Sequence, residues 1–209
     1  IDKIRDLAAS RRHQVHQLDR LQRLTDGVVD QRALPLLRVF ALGDLQAFDD
    51  GRWSRQPPAA RKRVLQRFAE LIVQHKDELA LLETLDMGKP IQHSLSVDAP
   101  AAARCIAWYA EAVDKVYDEI APAPHDVLAL ITREPVGVVG AIVPWNFPLL
   151  MAAWKLAPAI GAGNCVVLKP AESTPISILI LAELIADLLP PGVLNIVNGY
   201  GREAGMPLA

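Results

Sequence analysis

From Pro57 onward the apolar residues recur every three or four positions, which is the period of an α-helix with one buried face. The pattern predicts a first amphipathic helix that begins at Pro57 and ends at Gly88 and Pro90. Its apolar positions are Leu65, Phe68, Ile72, Leu79 and Leu82. A second amphipathic helix is predicted over about 99–116. The residues expected on its buried side are Cys105, Trp108, Tyr109 and Ala112.

After Pro135 the pattern changes to short, continuous apolar runs rich in valine and isoleucine, as in strands that are covered on both faces. The runs occupy 136–143, 164–168 and 193–197. Helical segments separate them. Strand, helix, strand, helix, strand at this spacing predicts an α/β fold, with a Rossmann-like parallel βαβαβ sheet preceded by the amphipathic helices.

Two helices are expected between the three strands. The first begins at Pro148. The second is predicted to have Ser173 or Thr174 as its N-cap and Pro175 in its first turn, and to end at the Pro-Pro-Gly sequence 190–192. Since ligands of parallel sheets bind beyond the carboxyl ends of the strands, functional residues are expected just after each strand.

Two segments differ from this pattern. Residues 1–46 are rich in arginine, glutamine, aspartate and leucine, and their helical rhythm predicts one or two amphipathic helices. His13 and His16 lie three positions apart there, but no third ligand is near, so a solvated helix surface is favoured and no metal is predicted. Residues 119–133 predict an extended arm or a pair of strands.

The composition narrows the classes of function. The 209 residues are 51% hydrophobic and 22% charged, with a net charge of -2. Because acids and bases are mixed along the chain, we expect no nucleic acid partner. No apolar stretch is long enough for a membrane span, and the start shows no export signal, so a cytoplasmic protein without membrane contact is expected. Cys105 and Cys165 are too few for a disulfide framework.

The first strand end carries Asn146, within the sequence Pro-Trp-Asn-Phe-Pro at 144–148. An asparagine between a buried strand and a helix can donate its side-chain NH2 to a developing oxyanion. The same position also suits an ordinary helix N-cap. The local sequence leaves both interpretations open.

The second and third strand ends carry further candidates. After the second strand, Glu172 can take both hydroxyls of an adenosine ribose and Lys169 can reach the same ribose, although a solvated Lys/Glu pair is the plainer alternative. After the third strand, Gly199, Gly201 and Gly205 permit a tight turn close to a ligand, or simply a turn and helix packing. Their spacing is not the G-x-G-x-x-G pattern. The three signals nevertheless converge on one crevice.

Four segments of the chain carry a recognisable signature. The first, at 134–148, reads Glu-Pro-Val-Gly-Val-Val-Gly-Ala-Ile-Val-Pro-Trp-Asn-Phe-Pro, and the others lie at 161–164, 168–172 and 191–197. They closely resemble the signature sequences of the NAD(P)-dependent aldehyde dehydrogenase superfamily, and the resemblance continues upstream through 47–53 and 83–90. It covers the chain from about Ala47 onward, while residues 1–46 do not resemble the family.

The resemblance implies roles for particular residues. Asn146 matches the asparagine of the family's oxyanion hole. Lys169 and Glu172 match the pair that holds the adenosine ribose, and Glu172 favours NAD over NADP. The implied cofactor-binding residues are Ile142, Val143, Pro144, Trp145, Asn146, Lys169, Ala171, Glu172, Gly201 and Gly205.

The resemblance also implies a reaction and an organisation. The family oxidises small-molecule aldehydes to carboxylic acids, and the segment 108–117 is similar to bacterial members acting on amino-substituted aldehydes. The chain would comprise a divergent helical leader, a helical part of the cofactor-binding domain, an arm for homo-oligomerisation and the Rossmann-like segment. Their predicted ranges are 1–46, 47–117, 118–134 and 135–209.

The family reaction also needs a cysteine nucleophile and a glutamate that activates water, and members carry both well beyond the position of Ala209. The apolar surroundings of Cys105 and Cys165 disfavour either as a replacement. We therefore expect a chain that is incomplete for catalysis and works with a missing catalytic half. A non-catalytic nucleotide-binding or assembly module and an inert gene remnant are the alternatives.

Overall fold

The computed structural model describes residues 45–209. The predictions for His13 and His16 and for helices in the leader lie outside this range. Within it, a short helical stretch covers 45–49. A helical region comes first. Its elements are α1 (Pro58–Gln74), α2 (Lys76–Met87), α3 (Ile91–His93), a π-helical turn (Ser94–Asp98), α4 (Ala99–Ala112) and a 3-10 turn (Val113–Lys115).

The remaining elements form two sheets and their connections. They are β1 (Glu119–Ala121), β2 (Ala129–Ile131), β3 (Val138–Ile142), α5 (Pro148–Gly161), β4 (Cys165–Lys169), α6 (Ile176–Leu184), a 3-10 turn (Ala186–Leu188), β5 (Leu194–Ile196) and a π-helical turn (Gly201–Gly205). Strands β1 and β2 form an antiparallel pair, as expected for the arm. Strands β3, β4 and β5 form a parallel sheet in that order, which confirms the Rossmann-like α/β fold.

The three parallel strands differ in burial. All five residues of β4 are buried because β4 lies between its two neighbours. The prediction that the first strand is covered on both faces was wrong, since Gly140 and Ile142 of β3 are exposed. Strand β3 borders β4 alone among the described strands, and its apolar sequence therefore does not guarantee burial.

The predicted first helix is two helices. The chain leaves helical geometry at His75, where φ is -101° and ψ is 19°, and α2 starts at the next residue. Both helices place their predicted apolar residues in the core. Periodicity did not reveal the break because the apolar spacing continues across it.

The predicted face of α4 was partly wrong. Trp108 is 64% exposed, and the buried residues are Ala99, Ala102, Ala103, Ile106 and Ala110. Cys105, Tyr109 and Ala112 are half-buried, and the helix ends at Ala112. Small side chains let α4 pack against both α1 and α5, whereas Trp108 projects from a different face.

Helix α5 is held between the helical region and the sheet, and its C-terminal end is fixed by side chains from a distance. The indole nitrogen of Trp53 donates to the carbonyl of Ile160 at 2.9 Å, and Arg61 donates to the carbonyl of Gly161 at 3.0 Å. Asn164 then accepts the N–H of Gly137 at 3.0 Å. These bonds satisfy helix-end carbonyls and align the start of β4 with β3.

Within residues 45–209, no helix has the length and apolar character that crossing a bilayer requires.

Candidate cofactor-binding site

The carboxyl ends of β3, β4 and β5 lie side by side. Ile142 is the register partner of Lys169, and the N–H of Val143 donates to the carbonyl of Lys169 at 3.1 Å. On the other side, the N–H of Val197 donates to the carbonyl of Leu168 at 2.9 Å. The structure thus brings the three predicted groups of site residues to one edge of the sheet.

The turn after β3 exposes its polar residue. Asn146 is exposed, as are Pro144 and Trp145, whereas the side chain of Val143 is buried. The N-cap of α5 is Phe147, in a left-handed conformation with φ 55° and ψ 52°, and α5 has no side-chain cap. The N-cap interpretation of Asn146 is therefore wrong. Its amide group remains available for other donors and acceptors.

The end of β4 carries an ion pair that is half buried. Lys169 is only 3% exposed, and its Nζ donates to Glu172 Oε2 and to the carbonyl of Pro170, both at 2.9 Å. The hydrogen bond from Lys169 holds the pKa of the exposed Glu172 below its usual value. Because the lysine is buried, the pair is not the freely solvated one that the sequence alone allowed. Ala171 between them is half-buried.

The turn after β5 requires glycine at one position. Gly199 has φ +149°, and a Cβ there would lie 2.9 Å from the Cβ of Ala204. Gly201 is exposed, with open space where a side chain would be, and a Cβ added to the buried Gly205 would lie 4.0 Å from Ile142 Cδ1. Gly199 was predicted to lie in this turn but was not among the predicted site residues.

Two carboxylates of α2 reach the strand ends, and sequence analysis did not identify them. Glu83 Oε2 accepts the N–H of Leu149 at 3.3 Å in the first turn of α5. Asp86 Oδ2 accepts the N–H of Ile176 at 2.7 Å in the first turn of α6. Their separation of three residues in Glu-Thr-Leu-Asp is the available sequence signal, since such residues share a helix face.

Asp86 replaces the predicted cap of α6. The prediction that Ser173 or Thr174 caps this helix was wrong: Pro175 is at the N-cap position, and no side-chain cap bond forms there. The hydroxyl of Thr174 donates instead to the carbonyl of Trp145 at 3.3 Å. This bond ties the loop after β4 to the turn after β3.

The α2 carboxylates also restrict where an anion can bind. The N-termini of crossover helices commonly bind phosphate in parallel sheets. Here the carboxyl oxygens of Glu83 and Asp86 already accept N–H groups at both N-termini. The 199–205 turn receives no carboxylate from α2, but it carries the exposed Glu203 in its own first turn.

A further polar atom at this edge lacks a partner. Asn198 Oδ1 follows β5, is buried and accepts no hydrogen bond from the described part of the chain. A hydroxyl or amide group on a bound ligand would satisfy it. At the same edge, exposed Ile142 and Trp145 offer apolar contacts and the Lys169–Glu172 pair offers hydrogen-bonding groups to a ligand.

These features define a Rossmann-like α/β fold in which the candidate site residues lie beyond three parallel strand ends. The family model of the aldehyde dehydrogenase family matches residues 45–209, and the chain belongs to that family.

Individual relatives agree with the family. The NADP/NAD-dependent aldehyde dehydrogenase PuuC of Escherichia coli (strain K12) is 59% identical over 163 residues, which are 78% of this chain and 33% of that protein. The crystal structure of an indole-3-acetaldehyde dehydrogenase complexed with NAD+ has a TM-score of 0.81 and 55% identity, over 82% of this chain and 35% of that one.

A second solved structure is similar to this chain. The gamma-glutamyl-gamma-aminobutyraldehyde dehydrogenase from Burkholderia cenocepacia J2315 has a TM-score of 0.79 and 54% identity, over 81% of this chain and 34% of that one. The chain thus spans about a third of the length of these relatives.

Proposed function

We propose that this chain forms the cofactor-binding side of an NAD-dependent aldehyde dehydrogenase, which oxidises an aldehyde to a carboxylic acid. The observation that carries the proposal is the meeting of three strand ends. Asn146, the Lys169–Glu172 pair and the 199–205 turn share one edge of the parallel sheet. Family membership supplies the reaction class.

Glu172 is the residue proposed to select NAD. Its lowered pKa keeps it ionised at neutral pH, so its oxygens accept hydrogen bonds from ribose hydroxyls. A 2'-phosphate at the same place would meet a negative charge, which disfavours NADP. Lys169 is proposed to hold the carboxylate and to share the ribose. When bound, the nicotinamide ring supplies the hydride acceptor.

The remaining site residues follow from the same geometry. We propose that Ile142, Pro144 and Trp145 line the cofactor by their side chains and Val143 by its backbone, while Gly201 and Gly205 lie under the adenine half. Asn146 would donate its NH2 group to the oxyanion of the tetrahedral intermediate.

The nucleophile is proposed to come from a segment outside these 209 residues. The sequence has two cysteines. Cys165 is buried, and burial raises the pKa of the half-buried Cys105 thiol, so neither suits thiolate attack. Two similar proteins are named for amino-substituted aldehydes, and together with the 108–117 segment they support our proposal of that substrate class.

The arm belongs to the same proposal. Ile120, Leu128 and Leu130 are exposed apolar residues of the β1–β2 region, and their exposure favours assembly with another copy of the chain. A cytoplasmic location and the division at 46, 117 and 134 stay predictions. Light scattering of the purified chain is expected to show a dimer or larger species, and a stable monomer would contradict this part.

Calorimetric titration with NAD and NADP tests the cofactor assignment. The chain is expected to bind NAD more tightly than NADP. Glu172→Gln should weaken NAD binding about tenfold, which corresponds to about 1.4 kcal/mol, and should reduce the preference over NADP. The matched control is Glu70→Gln, since Glu70 is an exposed carboxylate of α1 paired with Arg67.

The control variant is expected to bind like the wild type. Absence of NAD binding to the wild-type chain, or an equal loss in both variants, would contradict the assignment. A separate assay concerns catalysis: the chain alone is expected to produce no NADH from aldehyde and NAD. Turnover would show that the nucleophile lies within these residues.

A further inference from the structure

Phe147 directly follows Asn146 and is the one non-glycine residue of the described chain with positive φ. A side chain in the left-handed region costs conformational energy, and such a residue persists when neighbouring groups hold it in place. The conformation of Phe147 determines how the chain leaves Asn146 and enters α5. The groups that touch Phe147 therefore affect where Asn146 lies.

Lys89 contacts the ring of Phe147. Its Nζ lies 3.8 Å from the centroid of the phenyl ring. The cation also forms an ion pair with Asp98, whose side chain is 2% exposed, and that of Lys89 is 10% exposed. A desolvated ammonium over an aromatic face is attracted by the negative face of the ring.

The elements around Lys89 explain its placement. Helix α2 ends at Met87, its C-cap Gly88 has φ +73°, and Lys89 follows outside the helix. Asp98 is the last residue of the π-helical turn Ser94–Asp98. From the same side, Glu83 accepts the N–H of Leu149, so contacts from the α2 region reach both Phe147 and the residue two positions further on.

We propose that Lys89 is a positioning residue for Asn146. Held by Asp98, its ammonium group fixes the ring of Phe147, and the fixed ring keeps the left-handed turn that presents Asn146 at the crevice. The catalytic meaning of this role rests on the proposed function, in which Asn146 is the oxyanion donor. The contact between Lys89 and Phe147 does not depend on the proposed function.

The decisive variant removes the ring and leaves the ion pair intact. Phe147→Leu abolishes the cation–ring contact without leaving Asp98 buried and unpaired, whereas replacing Lys89 alone would. Phe147→Tyr is the matched control, because it retains the aromatic face. A second route, the double variant Lys89→Met with Asp98→Asn, removes both charges together and keeps Phe147.

The measurement is NMR of the 209-residue chain. Dimethylated Lys89 is expected to show a ring-current shift in the wild type and in Phe147→Tyr, and to lose it in Phe147→Leu. The backbone order parameter of Asn146 should fall from about 0.85 to below about 0.6 in Phe147→Leu and in the double variant. The order parameter of Val166 in β4 should not change, and Phe147→Tyr should match the wild type.

Two outcomes overturn the inference: Asn146 remaining as rigid as in the wild type in Phe147→Leu or in the double variant, or Asn146 and Val166 loosening together. The first shows that the ring or the Lys89 cation does not position the turn, and the second shows a general structural role. Failure of the wild-type chain to bind NAD would instead contradict the proposed function, and the order parameters would still decide the role of Lys89.

Discussion

Helices α5 and α6 both follow a parallel strand, and each receives a carboxylate from α2 at its N-terminus, yet the two carboxylates are not equally satisfied. Asp86 accepts the N–H groups of Ile176 and Ser177. Glu83 accepts the single N–H of Leu149, and its other oxygen is buried without a partner among residues 45–209. The α5 end, which carries Asn146, is thus held by the less well satisfied acid.

The acidity of the two groups reflects this difference. Burial is the main cause that raises the pKa of Glu83 to about 7, with the charge of Asp98 adding to it. Burial also raises the pKa of Asp86, to about 6, while its two N–H donors oppose the rise. Helix N-termini stabilise carboxylates, but here the stabilisation does not compensate for desolvation.

The largest expected effect comes from Glu83→Gln. The folded pKa of Glu83 lies above the ordinary value of 4.5, so the folded state binds its proton more tightly. Its contribution to stability is full below pH 4.5 and is lost as the pH rises towards 7. As the pH rises through this range, ionisation of Glu83 should lower the unfolding free energy of the wild type by on the order of 3 kcal/mol, and the glutamine variant should show no such loss.

Urea denaturation of both proteins at pH 5 and pH 8 measures this. The stability difference in favour of Glu83→Gln should grow with pH. Equal pH profiles would show that Glu83 titrates normally.

Asp86→Asn should give a smaller gain in stability than Glu83→Gln, and the gain should appear in a lower pH range. The relevant range is pH 3.8 to 6, where the folded state holds the proton more tightly than the unfolded chain. Above this pH range the variant should be more stable than the wild type by about 2 kcal/mol or less. The gain is limited because solvent screens the partly exposed carboxylate. It is limited also because a single amide oxygen replaces a carboxylate that accepts hydrogen bonds from two N–H groups. The same denaturation series, extended to pH 4, checks it, and a window matching that of Glu83 would contradict the comparison.

Thr174→Val tests the direct link between the two helix starts. It removes the hydrogen bond to the carbonyl of Trp145, and about 1 kcal/mol of stability should be lost. Ser173→Ala next to it is the control, since Ser173 is exposed and its loss should change stability little. Thermal unfolding of both variants gives the comparison, and equal effects would deny the link.

Asn146→Ala should have the smallest effect on stability. The residue is exposed and does not cap α5, so the change in unfolding free energy should stay within about 0.5 kcal/mol. Denaturation at pH 8 measures it. A large loss would mean that Asn146 serves the fold and would weaken its assignment to the oxyanion.

The site was predictable to different degrees at its three strand ends. The positions of Asn146, Lys169 and Glu172 followed from the order of apolar runs, because the edge where parallel strands end is determined by topology. For the Lys169–Glu172 pair, the sequence left a ribose-binding pair and a solvated pair as alternatives. The burial of Lys169 excludes a freely solvated pair. Glu83, Asp86 and Lys89 were missed as site residues because they lie about 60 to 90 positions from their partners in the sequence.

The sequence alone determined the parallel sheet, the succession of strands and helices along the chain and the edge where the polar residues meet, because period and spacing are local properties of the chain. Tertiary structure decided which apolar residues are buried, as with Trp108 and Ile142, and which group occupies each helix N-terminus. Burial and the occupancy of a helix N-terminus depend on which residues pack there, and those residues are distant in sequence, so the local sequence does not predict them.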